Sequence, residues 1–492
     1  MQQSTSDVQV AIIGGGITGL SAAWYLQQEA EKTNQSLTYT LLEAGDEWGG
    51  KVKTEIVDEF TEQPFIVEAG PDSFITQKPW AWQLVRQMGL ADELLPTNDD
   101  RRQTFILNNG ELVTMPEGLM LIVPTSITPF LKSRLLSWPG KIRMGLDFFI
   151  PAKRDGQDES LGDFVRRRLG QEALNKLAEP LLSGIYNADV EEQSLLATFP
   201  RFRDLEEKHG SLIRGMLAAK QMRRQAASKA AQQSSENGRS RPKPPPSFFI
   251  SMRQGMASLT DALRARLTGD CRLETKVTEL VQEENGRFRL TLNETEQLTA
   301  DSVILAIPAY AAADLLNEMA PNAATDLRAI RYVSTGTLSL GYRAEDIDHP
   351  LNGFGLVIPR HEARSINAIT WTSTKFDHRA PAGHVLLRVF FGGTRSPQMP
   401  KLADETILTL ARTELADLMG IKSEPLFHRI YRWPNATPQY DVGHLERVAA
   451  IEAELPTGLF VSGSPYYGIG LPDCVRQARE TAEKVWEVVH GA

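Results

Sequence analysis

The apolar positions fall into recognisable periods. Residues 8–13, VQVAII, are apolar and β-branched and stop at a run of glycines, which predicts a short buried parallel strand. Residues 17–31, ITGLSAAWYLQQEAE, predict a helix, and residues 37–43, LTYTLLE, a second strand, so the chain opens on a βαβ unit. The pattern then predicts a helix around 80–88 and a hairpin over 101–115 turning at Asn109-Gly110. From 120 to 220 it predicts mostly helix, punctuated by Pro139, Pro151, Pro180 and Pro200. Residues 221–247 are polar and end in a proline-rich run, which predicts a disordered surface excursion. Order returns near Phe248, with a helix over 256–267 and strands at 277–283, 287–292 and 302–306. Strands of a further sheet are expected at 333–343, 354–358, 366–371 and 385–391, then a helix over 403–419. A strand at 458–462, a glycine turn and a helix from about 472 to 489 close the pattern.

Composition narrows the classes. With 492 residues, 41% hydrophobic and 23% charged, the chain is an ordinary globular protein of two or three domains. Its net charge of −9 disfavours a general nucleic-acid binder. Two cysteines, Cys271 and Cys474, exclude a disulfide framework and a CxxC zinc site, and the eight histidines form no HxH or HxxxH pair, so no metal site is expected. No apolar run reaches the length of a membrane span and no signal segment precedes the first strand, so the expected location is the cytoplasm.

Between the first strand and helix lies GGGITG, in which Gly14, Gly16 and Gly19 form G-x-G-x-x-G in its required context. The first glycine allows the tight turn, the second lets the backbone approach a pyrophosphate, and the third lets helix pack on strand. The N–H groups at the helix start, around Ile17 and Thr18, then face the phosphates. Glu43 ends the second strand, where a carboxylate suits ribose hydroxyls and disfavours a 2′-phosphate. Glu43-Ala44 is followed by Gly49-Gly50-Lys51, a second glycine pair of the kind seen in amine-oxidase-like flavoproteins, with Lys51 placed for a phosphate or the flavin edge. The sequence departs from that pattern at Glu47, where those proteins usually carry arginine.

Two other stretches suit a flat ring. In EAGPDS, Gly70, Pro71, Asp72 and Ser73 let the backbone pass close to it. The segment from Gly463 to Cys474, GSPYYGIGLPDC, leads through Gly470 and Leu471 into the last helix, whose N-terminal N–H groups can stabilise negative charge on a reduced flavin. Pro472 suits the first helical turn, and Asp473 caps it or complements its dipole.

At this point the chain resembles, over nearly its whole length, the bacterial FAD-dependent protoporphyrinogen and coproporphyrinogen III oxidases. The stretches that carry the resemblance are VAIIGGGITGLSAAWYL, VEAGPDSF, SLGDFVRRRLG, EPLLSGIYNAD, TFPRF, QYDVGH and GIGLPDC. It implies an α/β plus α+β fold with a discontinuous Rossmann-like FAD lobe from 1–90, 248–308 and 431–492. It also implies a helical substrate- and membrane-facing subdomain over 91–220, the disordered loop 221–247, and a substrate-binding sheet over 309–430. Val277 and Trp433 join the cofactor residues, Trp433 packing near the flavin. The activity implied is oxidation of a porphyrinogen in haem biosynthesis with molecular oxygen as acceptor and hydrogen peroxide as by-product. Coproporphyrinogen III is favoured as substrate, with protoporphyrinogen IX as the alternative.

Such a reaction needs no side-chain acid or base of its own, because the flavin carries the redox step and the protein positions the bridge carbon. Lys78 is a candidate anchor for a propionate, Tyr186 a candidate cavity wall, and Tyr440 an aromatic neighbour of the Trp433 loop. Residues 201–253 carry twelve Lys/Arg against four Asp/Glu, a funnel for an anionic substrate, a membrane surface, or a solvated loop. Peripheral membrane contact and transient contact with a ferrochelatase or haem synthase are expected partners. Two other readings stay open: a different flavin oxidoreductase (amine oxidase or carotenoid desaturase), and a non-catalytic flavin or porphyrin carrier. Adjacent Tyr466 and Tyr467 would make a poor amine-oxidase cage if extended.

Overall fold

The opening βαβ unit forms as its pattern predicts, with strands Val8–Ile13 and Leu37–Leu42 around the helix Ile17–Thr33. The computed structural model describes residues 8–491 apart from 117, 121, 125 and 234–246. Three further strands complete a parallel sheet in the order 270–272, 37–42, 8–13, 302–305, 459–461. Strand order reverses beside the first strand, and the carboxyl end of such a switch point is where α/β sheets bind ligands. One face of the sheet is covered by Ile17–Thr33 and the C-terminal helix Leu471–His490, the other by an antiparallel three-stranded sheet and the helices Ala309–Leu316 and Pro321–Ala329.

The second lobe is built on a seven-stranded sheet in the order 427–438, 332–343, 384–392, 368–371, 355–357, 104–108, 111–114. Its apolar face, with Leu338, Leu340, Leu387 and Val389, packs beneath the helix Asp404–Met419. A helical region with its own core fills 127–233. Its Ser160 caps the helix Leu161–Leu169, and the following Arg168 is fully buried between Asp147 and Glu206.

Several expectations shift. Asn109 and Gly110 both take left-handed φ, as a two-residue hairpin turn requires, but that hairpin joins the large sheet and not the helical subdomain over 91–220. Residues 427–438 form an edge strand of the same sheet, so RWPNATP is not a loop and the third stretch of the FAD lobe does not begin at 431. Pro434 and Pro438 are tolerated because that strand is outermost and irregular in register near Val333 and Thr335. The helix Leu212–Gln233 runs into the stretch expected to be disordered, while 234–246 lies outside the described residues. Alanine, glutamine, lysine and arginine dominate 221–233, and their helix propensity outweighs the scarcity of apolar positions. Ser247 is buried, its carbonyl accepting the Thr76 hydroxyl at 2.8 Å. Among the described residues no helix is long and apolar enough to cross a membrane.

Candidate cofactor site

The glycine turn builds an anion cradle from backbone alone. A Cβ on Gly19 would stand 1.8 Å from the Gly14 carbonyl oxygen, so only glycine lets the helix lie this close to the strand. At Gly16 the same Cβ would meet nothing within 4 Å, leaving open space beside the backbone. The helix starts with no side-chain cap and no acid in its first turn, so its N-terminal donors and dipole face that space. Glu43 borders it: one carboxylate oxygen accepts the Gly15 N–H at 2.7 Å and the other accepts the Gly45 N–H at 2.8 Å. The backbone of Glu274 and Thr275 docks on Gly45 and Glu43, bringing the chain to Val277, whose own side chain is buried in the core.

The second glycine pair extends the cradle. The Gly49 N–H bonds to the Gly15 carbonyl at 2.9 Å, and Gly50 lies against Gly16. Lys51 keeps exposed surface, partial desolvation lowers its pKa, and its ammonium reaches the Ala436 carbonyl on the edge strand. Glu47, which stands where arginine is usual, forms an ion pair with Lys53. Gly70 packs on Lys51 so tightly that a Cβ would sit 1.7 Å from the Lys51 carbonyl oxygen. The N–H groups of Gly70, Asp72 and Ser73 have no protein acceptor among the described residues.

The C-terminal helix closes the other side. Gly470 and Leu471 start it, Gly463 abuts Thr18, and Pro472 occupies the first turn. Asp473, also in that turn, receives Lys78 at 2.6 and 2.7 Å. The structure thus brings Lys78 to the site but pairs it with a carboxylate. Tyr186 is buried with its ring centroid 5.8 Å from Tyr440 and 6.1 Å from Phe199. Tyr440 in turn braces the glycine loop, donating to the Ser464 carbonyl at 2.7 Å and accepting the Gly468 N–H at 2.8 Å. Tyr466 is buried in the core and Tyr467 bonds Glu452 at the surface, so the two do not pair as a cage.

The floor joins Trp433 and Asp72, both singled out from the sequence, to Thr337, Arg388, Lys375 and Arg379, which were not. Trp433 Nε1 donates to the Ala69 carbonyl at 3.0 Å, joined there by the Thr337 hydroxyl at 3.3 Å and Arg388 at 3.1 Å. Arg388 also donates to the Gly70 carbonyl at 2.6 Å. Around them lie Lys375, 3.0 Å from Asp72, and Arg379, 3.7 Å from Glu68. Burial raises the Asp72 pKa, but Lys375 and Arg388 outweigh it and hold the carboxyl below its usual range. For Glu68 burial wins over Arg379, the Thr54 hydroxyl and the Met256 N–H, and its pKa rises to about 7. The available signal was a single arginine inside the apolar strand HVLLRVFFG, which a strand buries only against a partner.

A parallel sheet whose glycine cradle is bordered by Glu43 and by the 69–73 segment defines a dinucleotide-dependent flavoprotein of two lobes. The model of the flavin containing amine oxidoreductases matches residues 17–486, and the chain belongs to that family. FAD is its cofactor, and the open cradle at Gly16 fits it. The chain is 37% identical to the coproporphyrinogen III oxidase of Bacillus subtilis (strain 168), over 96% of each. It is 31% identical to protoporphyrinogen oxidase 1 of Arabidopsis thaliana chloroplasts, covering 98% of this chain and 88% of that one. A crystal structure assigned to a protoporphyrinogen oxidase from Exiguobacterium sp. 255-15 superposes with a TM-score of 0.82 at 32% identity, over 98% and 99% of the two chains. Cyclohexylamine oxidase from Brevibacterium oxydans, at 16% identity and a TM-score of 0.69 over 99% and 100%, shares the fold.

Proposed function

We propose that this protein oxidises coproporphyrinogen III to coproporphyrin III with molecular oxygen. The observation that carries the reading is the end-to-end 37% identity with a coproporphyrinogen III oxidase, which spans both lobes and the segments that meet at the cleft. A porphyrinogen has methylene bridges between electron-rich pyrroles. Three two-electron oxidations remove three hydrides from bridge carbons, and three protons leave with them, two from pyrrole nitrogens and one from the fourth bridge carbon, so that the conjugated porphyrin keeps two N–H groups. Bound FAD supplies the two-electron acceptor, and oxygen, reduced to hydrogen peroxide, regenerates it.

The chain's own work is placement. Gly70 and Pro71 set one wall, the start of the C-terminal helix offers donors and a favourable dipole, and Tyr186, Tyr440 and Phe199 give an aromatic face for the macrocycle. Lys78 is the anchor for a propionate, exchanging one carboxylate partner for another when the substrate arrives.

The helical region supports contact with an anionic membrane surface. Trp138 and Ile142 are 63% and 65% exposed on one helix, Leu146 follows, and Phe149 is 80% exposed. Residues 118–154 carry six Lys/Arg and a single acid, the buried Asp147, and residues 208–235 carry six Lys/Arg and no acid. Aromatic and aliphatic side chains amid basic ones suit a peripheral membrane face. A porphyrin chelatase is the expected receiver of the product, and a pull-down that enriches none counts against that contact.

The test is aerobic turnover on coproporphyrinogen III and protoporphyrinogen IX side by side, followed by porphyrin fluorescence. The proposal expects the higher kcat/KM on coproporphyrinogen III, with three peroxides per porphyrin. A preference for protoporphyrinogen IX overturns the substrate, and no turnover with FAD bound overturns the activity. Sedimentation with anionic vesicles, lost in the Trp138→Ala/Phe149→Ala variant, tests the membrane face separately.

A further inference from the structure

Strand alternation in the second lobe separates two kinds of side chain. Leu338, Leu340, Leu387 and Val389 face its core, while Thr337, Arg388 and Trp433 come from the other face and reach across to one short segment of the FAD lobe. Three donors converge on the Ala69 carbonyl, and Arg388 holds the next carbonyl as well. With both carbonyls engaged from the sheet side, the segment's remaining donors at Gly70, Asp72 and Ser73 are left without protein acceptors among the described residues.

Arg388 is also a charge. It is 3% exposed, and its Nε–H has no protein acceptor among the described residues. The nearby ionisable groups are Lys375 and Arg379 on the cationic side and Asp72 and Glu68 on the anionic side, with Tyr431 packed beside them. With both carboxyls ionised, three cations face two anions in a place shielded from water, where each charge acts strongly.

We propose that Arg388 is a positioning residue for the flavin: it pins the 69–70 backbone that the ring lies against and supplies a buried cation that favours the reduced, negatively charged cofactor. Asp72 opposes it by offsetting that cation. This rests on the flavin ring lying against residues 69–73. It goes beyond the substrate assignment, which does not depend on it.

Two variants with opposite expected signs test the idea. The holoprotein of Arg388→Met and of Asp72→Asn is purified, FAD content is measured by absorbance, and the flavin midpoint potential is read by dye equilibration without substrate. The expected result is a more negative potential and partial FAD loss for Arg388→Met, and a more positive potential with FAD retained for Asp72→Asn. A merely structural role would loosen FAD in either variant without moving the two potentials in opposite directions. If Arg388→Met does not fold, Asp72→Asn still decides, since an unchanged or more negative potential overturns the proposal. Unchanged potential and FAD content in Arg388→Met also overturn it. Failure of the site reading itself would appear differently, as full FAD retention in Gly70→Val.

Discussion

The two walls of the cofactor cleft are built by opposite means. The dinucleotide end is backbone: glycines at 16, 19, 49 and 50, an uncapped helix start, and one acid whose oxygens are held by the Gly15 and Gly45 N–H groups. The floor beneath residues 69–73 is side chain: Arg388, Trp433, Thr337, Lys375 and Asp72, contributed by both lobes. A backbone site depends on local geometry that admits one residue type, so its loss is abrupt. A side-chain site is a balance of burial and pairing, so its changes are graded and sensitive to charge.

The steepest break is expected at the close approaches. Gly19→Val and Gly70→Val each drive a side chain into a carbonyl oxygen already 1.8 or 1.7 Å from the first added carbon. Both variants should be recovered without FAD, as a colourless protein by absorbance, or not at all. A yellow Gly19→Val protein with normal FAD content would contradict the backbone account.

A second, smaller effect sharpens the contrast away from the cleft. Arg168 has no exposed surface and pairs with Asp147 and Glu206 in the helical region. Arg168→Ala leaves the buried Asp147 without its cation, while Glu206 keeps Arg167 and Arg203, and the expected cost is about 3–5 kcal/mol in urea unfolding. FAD content at low denaturant should stay unchanged, because the helical core is separate from the cradle.

The gentlest effect is on the pH dependence of stability. Burial raises Glu68 from 4.5 to about 7, so between those values the folded protein holds a proton that the unfolded chain has lost. This contribution is complete below the unfolded value and is lost as pH rises through about 7. Glu68→Gln should therefore flatten the decline in stability between pH 5 and 7 (read by thermal melting of the FAD-loaded protein). An unchanged profile would mean that Arg379 and the Thr54 hydroxyl keep the carboxylate ionised.

The same contrast explains what the sequence disclosed. G-x-G-x-x-G, Glu43 and Gly49-Gly50 are local in sequence because they act through one turn of backbone, and the structure gathers them at one cradle. Trp433 was legible through resemblance, yet its strand was not, since two prolines disguise an edge strand as a loop. Arg388 and Lys375 meet Ala69, Gly70 and Asp72 across some three hundred residues of sequence, a distance over which no spacing rule operates. Lys78, singled out as a candidate propionate anchor, pairs with Asp473 at the far end of the chain, a partner that no local spacing announces.

The most direct test of the account is anaerobic mixing of the yellow holoprotein with coproporphyrinogen III in a stopped-flow instrument, with benzylamine as the comparison. Rapid bleaching of the flavin by the porphyrinogen, with matching appearance of porphyrin absorbance and no bleaching by the amine, is the result expected. A flavin that stays oxidised with the porphyrinogen but is bleached by the amine would contradict the account.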